Sequence, residues 1–207
     1  MLCVYKAPIK NSKRIMETYI ALKIPVCVKA QWYEGLKGKV DGMLTRKPER
    51  HIHLTLAFIN STTDVDGISE KIGKIASKYE PFDITFNTVE AFTVSSGTEH
   101  IVYLGATHMP EPLTKMVGEI RSAVKETGSQ MNSEFKFHVT LFRLDAKKIS
   151  LENLLEEIKP YRKPTEENPQ NMSAGSKMPS FNLTVNNLYY RYFSRGGEIK
   201  SWQLERV

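Results

Sequence analysis

The sequence predicts an α+β fold: one bilobal domain whose two pseudo-symmetric antiparallel-sheet lobes face each other across a groove, with helices on the outside. Three observations predict it. Strand-like and helix-like hydrophobic periods alternate along all 207 residues with no composition break that would divide them. A four-residue pattern, His53-Leu54-Thr55-Leu56, returns as His138-Val139-Thr140-Leu141. Each copy follows a helical segment and a polar turn, as two related half-domains would arrange it.

Element by element, Glu17 to Ile24 reads as a strand, and Val28, Trp32, Leu36, Val40 and Met43 recur at helical spacing behind it. A charged turn, 46–50, leads into an alternating strand at 51–59. Ser61 to Asp64 offer caps for a helix whose inner face is Val65, Ile68, Ile72, Ile75, Ala76 and Tyr79. Two strand runs follow, 82–94 (bent or bulged) and 100–106. A third helix spans about 111–127, with Leu113, Met116, Val117, Ile120 and Val124 inward and Gly128 as its C-cap. The second motif lies in an alternating run at 135–144, and 151–158 forms a short helix. Residues 160–179 hold four of the ten prolines and read as an irregular loop. Strands at 181–193 and 198–206 close the chain.

Composition narrows the function classes. No apolar run approaches the roughly 20 residues of a membrane helix, and Lys6 interrupts the first one, so a soluble, cytoplasmic protein acting without a membrane is expected. Cys3 and Cys27 are too few for a disulfide framework and lack metal-ligand spacing. The net charge of +6 is uneven: residues 1–50 carry eleven Lys and Arg against four Asp and Glu, whereas residues 51–100 carry three against seven. A basic first quarter suits an anionic partner, nucleotide or nucleic acid, although on charge alone a solvated, lysine-rich helix face is the preferred reading.

The repeated motif carries the chemistry. With a period of two, His and Thr of each copy share one face of a strand while Leu54, Leu56, Val139 and Leu141 take the other. Two imidazoles across a groove suit phosphoryl chemistry: a neutral one takes a proton from the attacking oxygen and a charged one gives a proton to the leaving oxygen. A Thr hydroxyl two residues on can hold a non-bridging phosphate oxygen. His53 and His138 are therefore the candidate catalytic pair and Thr55 and Thr140 the candidate phosphate ligands. His51 shares the parity of His53 and is a candidate substrate contact or a solvated strand-start residue. Phe142 shares the parity of His138, which makes it a base-stacking candidate or an ordinary groove-wall or core aromatic. Tyr103 and the run Tyr189 to Tyr192 are further stacking candidates, and Arg46, Lys47 and Arg50 are electrostatic guides for a phosphate backbone. A metal site built on His51, His53 and His138 ranks lower, since no carboxylate alternates with them and no cysteine is near.

These motifs resemble those of the 2H phosphoesterases, and among them the bacterial and archaeal RNA 2′,3′-cyclic phosphodiesterases, which are 2′-5′ RNA ligase-like. His53 to Phe58 and His138 to Arg143 match the two family motifs, including a trailing aromatic and a trailing arginine, and the element order matches over about 17–207. The resemblance implies a metal-independent, cofactor-free phosphodiesterase acting as a monomer on an RNA end or a nucleotide. It also implies that His53 protonates the leaving ribose oxygen, that His138 activates water, and that a 2′-phosphomonoester results. Arg143, of opposite strand parity, is by the same resemblance a candidate phosphate contact, against a surface ion pair. Other substrates within the superfamily are 2′-5′ oligoadenylate and cyclic oligonucleotide signals. From another class, a nucleotide- or RNA-binding module on the same fold would use the histidines without turnover. Residues 1–16 and the loop at 160–179 exceed what compact members need, and Asn60 stands where the family often has Gly.

Overall fold

A computed structural model describes residues 18–24, 31–48, 52–62, 64–162, 180–192 and 198–204. The expected N-terminal extension and nearly all of the irregular loop lie outside them.

Strand β1 (Thr18–Lys23) buries four consecutive residues and is an inner strand, with a partner strand on each side. Helix α1 (Gln31–Val40) turns Tyr33, Leu36 and Val40 inward and tightens into a 3₁₀ turn at Asp41–Met43. Strand β2 (His53–Ser61) leads to α2 (Val65–Ala76), whose N-cap Asp64 accepts a hydrogen bond from the Gly67 amide at 2.8 Å, a cap worth about 1 kcal/mol. Strands β3 (Phe82–Phe86), β4 (Thr88–Thr93) and β5 (Glu99–Gly105) follow; Gly97 supplies the positive φ of the β4–β5 turn. Helix α3 (Glu111–Glu126) ends at Gly128, also at positive φ. The rest is β6 (Gln130–Met131), β7 (Val139–Asp145), α4 (Leu151–Ile158), β8 (Phe181–Val185), β9 (Asn187–Tyr192) and β10 (Glu198–Gln203). None of these helices is long and apolar enough to cross a membrane.

The main sheet runs β10-β9-β1-β2-β7-β5-β4, with β6 beside β2, and its paired strands are antiparallel. Its two lobes, β10-β9-β1-β2 and β7-β5-β4, are joined by one residue pair, Leu54 with Val139. These are the residues that follow His53 and His138, so the seam of the sheet lies at the motifs.

Two strand runs differ from expectation. Residues 82–94 and 181–193 each divide into two strands, at Asn87 and Asn186. In both, the first half pairs in a separate two-stranded sheet (β3 with β8) and the second half joins the main sheet. Asn87 fixes its break by exchanging two side-chain hydrogen bonds with Thr107, both at 3.0 Å.

The helices are exchanged between lobes. Helix α1, which follows β1 of the first lobe, packs on α4, and α4 packs on β4 of the second lobe. Helix α3, which follows β5 of the second lobe, packs on β2 and on α2 beneath the first. One buried apolar cluster runs through both lobes, including Leu54, Leu56, Val139 and Leu141 as the motif alternation requires.

Candidate active site

Both motifs sit at strand openings rather than mid-strand. His53 is the first residue of β2, and His138 immediately precedes β7; residues 135–138 are irregular. A strand end leaves the imidazole on the rim of the sheet, where a ligand can approach.

Alternation then fails at the same place in both copies. Thr55 pairs with Ala21 and Ala57 with Ile20, leaving Leu56 as an extra residue in β2. Thr140 pairs with Tyr103 and Phe142 with Val102, leaving Leu141 as an extra residue in β7. A bulge of this kind shifts every later side chain to the opposite face. Phe142 is consequently driven into the core, 1% exposed, with its ring 5.2 Å from that of Tyr33. The expected stacking role for Phe142 is thereby overturned. Arg143, read as opposite in parity, is brought round to the side of His138 and Thr140. Phe58 makes the equivalent move in the first copy. Each motif thus reads His, Thr, then a side chain at the fifth position after His: Phe58 in one lobe, Arg143 in the other.

These side chains line one cavity of about 370 Å³: His53, Thr55 and Phe58 from the first motif, and His138, Thr140 and Arg143 from the second. Tyr19, Asn132, Ser133, Glu134 and Lys136 complete it. Arg143 Nη1 donates to Glu99 at 3.3 Å, and its buried Nε–H has no acceptor among the described residues. Such an orphaned donor beside a cavity is suited to an anionic ligand.

His138 is half-buried under two aromatic rings. Phe92 and Tyr103 meet it edge-on, with centroids at 5.6 and 6.1 Å. Burial disfavours the imidazolium and lowers its pKa below the usual 6.5, against the backbone hydrogen bond at Lys136; the nearby positive charges of Arg143, Lys136 and His53 lower it further. Its Nδ1 lies 2.9 Å from the Lys136 carbonyl, which can only accept. Nδ1 therefore carries the proton, and in the neutral ring the lone pair is on Nε2. His53 has a different setting: its ring stacks face to face on Tyr19, centroids 4.6 Å apart at 5°. Tyr19 in turn accepts a hydrogen bond from Arg191 Nη1 at 3.2 Å and lies under that guanidinium.

The loop that carries His138 is tied to the first motif. Asn132 exchanges two hydrogen bonds with the Phe58 backbone, both at 3.0 Å, and Arg121 of α3 donates to the Asn132 side chain at 3.2 Å and to its carbonyl at 2.6 Å. Desolvation lowers the Arg121 pKa from its ordinary value.

Of the expected residues, His53, His138, Thr55, Thr140 and Arg143 come together. Tyr103 supports the His138 ring and does not line the cavity. Arg46 and Lys47 are exposed and line neither described cavity, while His51 and Arg50 lie outside the described residues. The sequence did not single out Tyr19, Asn132, Ser133, Glu134 or Lys136. Only Tyr19 left a signal, since its strand parity matches Ala21 and Lys23. Among the described residues no three His, Cys, Asp or Glu side chains cluster as metal ligands would.

A family model described as the 2′-5′ RNA ligase superfamily matches residues 33–171, a span that contains both motifs. An RNA 2′,3′-cyclic phosphodiesterase of Archaeoglobus fulgidus is 26% identical over 136 residues, which are 64% of this chain and 74% of that protein. Among solved structures, a Thermus thermophilus protein superposes with a TM-score of 0.58 at 18% identity, covering 91% of this chain and 98% of its own. E. coli LigT complexed with 3′-AMP superposes with a TM-score of 0.56 at 19% identity, covering 92% and 96%. Both share the fold.

Proposed function

The chain belongs to the 2′-5′ RNA ligase superfamily, the 2H phosphoesterases, and on that footing we propose that it hydrolyses 2′,3′-cyclic phosphate ends of RNA or nucleotides without a metal. One observation carries the proposal: the His and Thr of both motifs, 85 residues apart, line a single cavity with Arg143 between strands of opposite lobes. The Archaeoglobus relative bears the name of this activity.

The two imidazoles divide the work. His138, kept neutral by burial under its rings and by the neighbouring positive charges, and oriented by its hydrogen bond to the Lys136 carbonyl, takes a proton from water through Nε2 as the water oxygen bonds to phosphorus. His53, as the imidazolium, gives its proton to the ribose O3′ as the P–O3′ bond breaks, which leaves a 2′-phosphomonoester. The regiochemistry follows the family. Thr55, Thr140 and Arg143 donate to the non-bridging oxygens, where charge is greatest in the transition state. Proton exchange with solvent resets the pair.

A substrate panel with EDTA present tests this: nucleoside 2′,3′-cyclic monophosphates, 2′-5′ oligoadenylate and cyclic dinucleotides, with the product isomer read by phosphorus NMR. The expected result is turnover of the cyclic monophosphates to 2′-phosphates, undiminished by EDTA. Loss of turnover in EDTA would overturn the metal-free mechanism. Turnover confined to either other substrate would reassign the reaction, and binding without turnover of any would make the protein a nucleotide-binding module.

A further inference from the structure

The two lobes differ at one matching position. Across the outer pairing of each motif strand, Ala21 faces Thr55 and Tyr103 faces Thr140. One strand further out, Tyr189 and Glu90 occupy equivalent places. In the second lobe the Tyr103 ring packs with Phe92, 5.6 Å between centroids, and Glu90 accepts from Arg162 at 2.9 Å, so the sheet face beside His138 is filled. In the first lobe the methyl group of Ala21 leaves a hollow of about 210 Å³, bounded by Tyr19, His53 and Tyr189 and flanked by Lys23 and Arg191. Tyr19 and His53 line both this hollow and the catalytic cavity, as the two sides of one aromatic wall.

We propose that this hollow is a subsite for the nucleoside next to the one bearing the cyclic phosphate, so that the substrate is an RNA end of at least two nucleotides. The inference rests on the phosphodiesterase reading above. The catalytic cavity, at about 370 Å³, has room for the cyclic phosphate and its own nucleoside. The hollow falls below the roughly 300–1,000 Å³ of pockets for drug-sized ligands and suits one ring system. Tyr189 offers that ring a stacking surface. Among the described residues no carboxylate lines the hollow, and the cations of Lys23 and Arg191 match the phosphate that links the two nucleosides. Stacking and phosphate contact read no base identity, so the subsite selects length rather than sequence.

The test compares adenosine 2′,3′-cyclic phosphate with the dinucleotide ApA ending in a 2′,3′-cyclic phosphate, under the wild type, Tyr189→Leu and Tyr189→Phe. Stacking of one base corresponds to about a 5- to 150-fold advantage in kcat/KM for the dinucleotide, carried by KM. Tyr189→Leu should remove most of that advantage and leave the mononucleotide rate unchanged, while Tyr189→Phe should retain it. The mononucleotide rate also shows that each variant is folded; should Tyr189→Leu fail to fold, loss of the advantage in Lys23→Gln at low salt takes its place. Equal wild-type efficiency on both substrates, or a Tyr189→Leu loss shared by both, would overturn the subsite while the phosphodiesterase reading stands. No turnover of either substrate would remove that reading and the subsite with it.

Discussion

Beside His138 the second lobe places the rings of Phe92 and Tyr103, and beside His53 the first lobe places one stacked ring, Tyr19, and the small Ala21. The backbone is the same in both: a strand opening at His, a Thr two residues on, a bulge at the next residue, and a cavity-lining side chain at the fifth. The chemistry is not. Edge-on rings strip water from His138 and favour its neutral form, while its Nδ1 is occupied by a carbonyl. Two tetrads that differ only at Leu54 and Val139, on a pseudo-symmetric frame, are thus given unequal surroundings by their neighbours on the adjoining strands, not by the motif residues themselves.

The most severe way to break this comparison is to remove either imidazole. His53→Ala and His138→Ala should each lower kcat by about 10²–10⁴-fold with a much smaller change in nucleotide affinity. Because the two act as a unit, the double variant should be little worse than the poorer single one. Steady-state kinetics beside equilibrium binding measures this, and unchanged turnover in either single variant refutes the pairing.

Next come the hydroxyls. Thr55→Val and Thr140→Val keep the strand shape and each remove one hydrogen bond to a charged phosphate, an expected loss of about ten- to a hundredfold in kcat/KM. Similar losses in the two lobes would show that the asymmetry resides in the histidines' surroundings. A loss in one lobe alone would place it in the motifs.

Tyr103→Ala sharpens the comparison further. The base must be neutral, so the rate rises as pH climbs through the pKa of His138, which burial holds below 6.5. Admitting water restores the imidazolium's solvation and raises that pKa. The acid limb of kcat/KM should therefore move to higher pH, and the rate at pH 6 should fall. Tyr19→Leu, altering only the other lobe's ring, should leave the acid limb in place. A pH–rate profile of the three proteins decides it.

Arg121→Met is expected to have the smallest effect. It loses the two hydrogen bonds by which α3 holds Asn132, the residue that ties the His138 loop to β2. Stability should drop by about 1–2 kcal/mol in urea melts and turnover by less than tenfold.

The alternation of apolar residues made most elements and both His-Thr pairs legible, because each strand's inner face must be buried whatever its partner. The bulges were not legible. Leu56 and Leu141 are ordinary strand residues, and only their pairing against β1 and β5 shows that one residue is left over. That is why Phe142 and Arg143 exchange faces relative to a strict period of two. The breaks at Asn87 and Asn186 were hidden for a similar reason, as each half-strand is β-like and only the choice of sheet divides them. The Asn132 loop reaches the cavity through long-range pairing that no local pattern encodes, and the strand parity of Tyr19 gives its face but not its partner.

The exchange of helices between the lobes also has a bearing on how the protein is made. As the chain emerges during synthesis, β1 and β2 can pair early, but the helix α3 that packs on β2 arrives only after β5, and β9, which brings Arg191 to Tyr19, arrives after β8. Neither lobe can be finished before the other has been started. Such non-local order favours slow folding. It should also make catalytic competence a late event: a chain released before β9 carries both histidines yet lacks the strand that braces the wall behind His53.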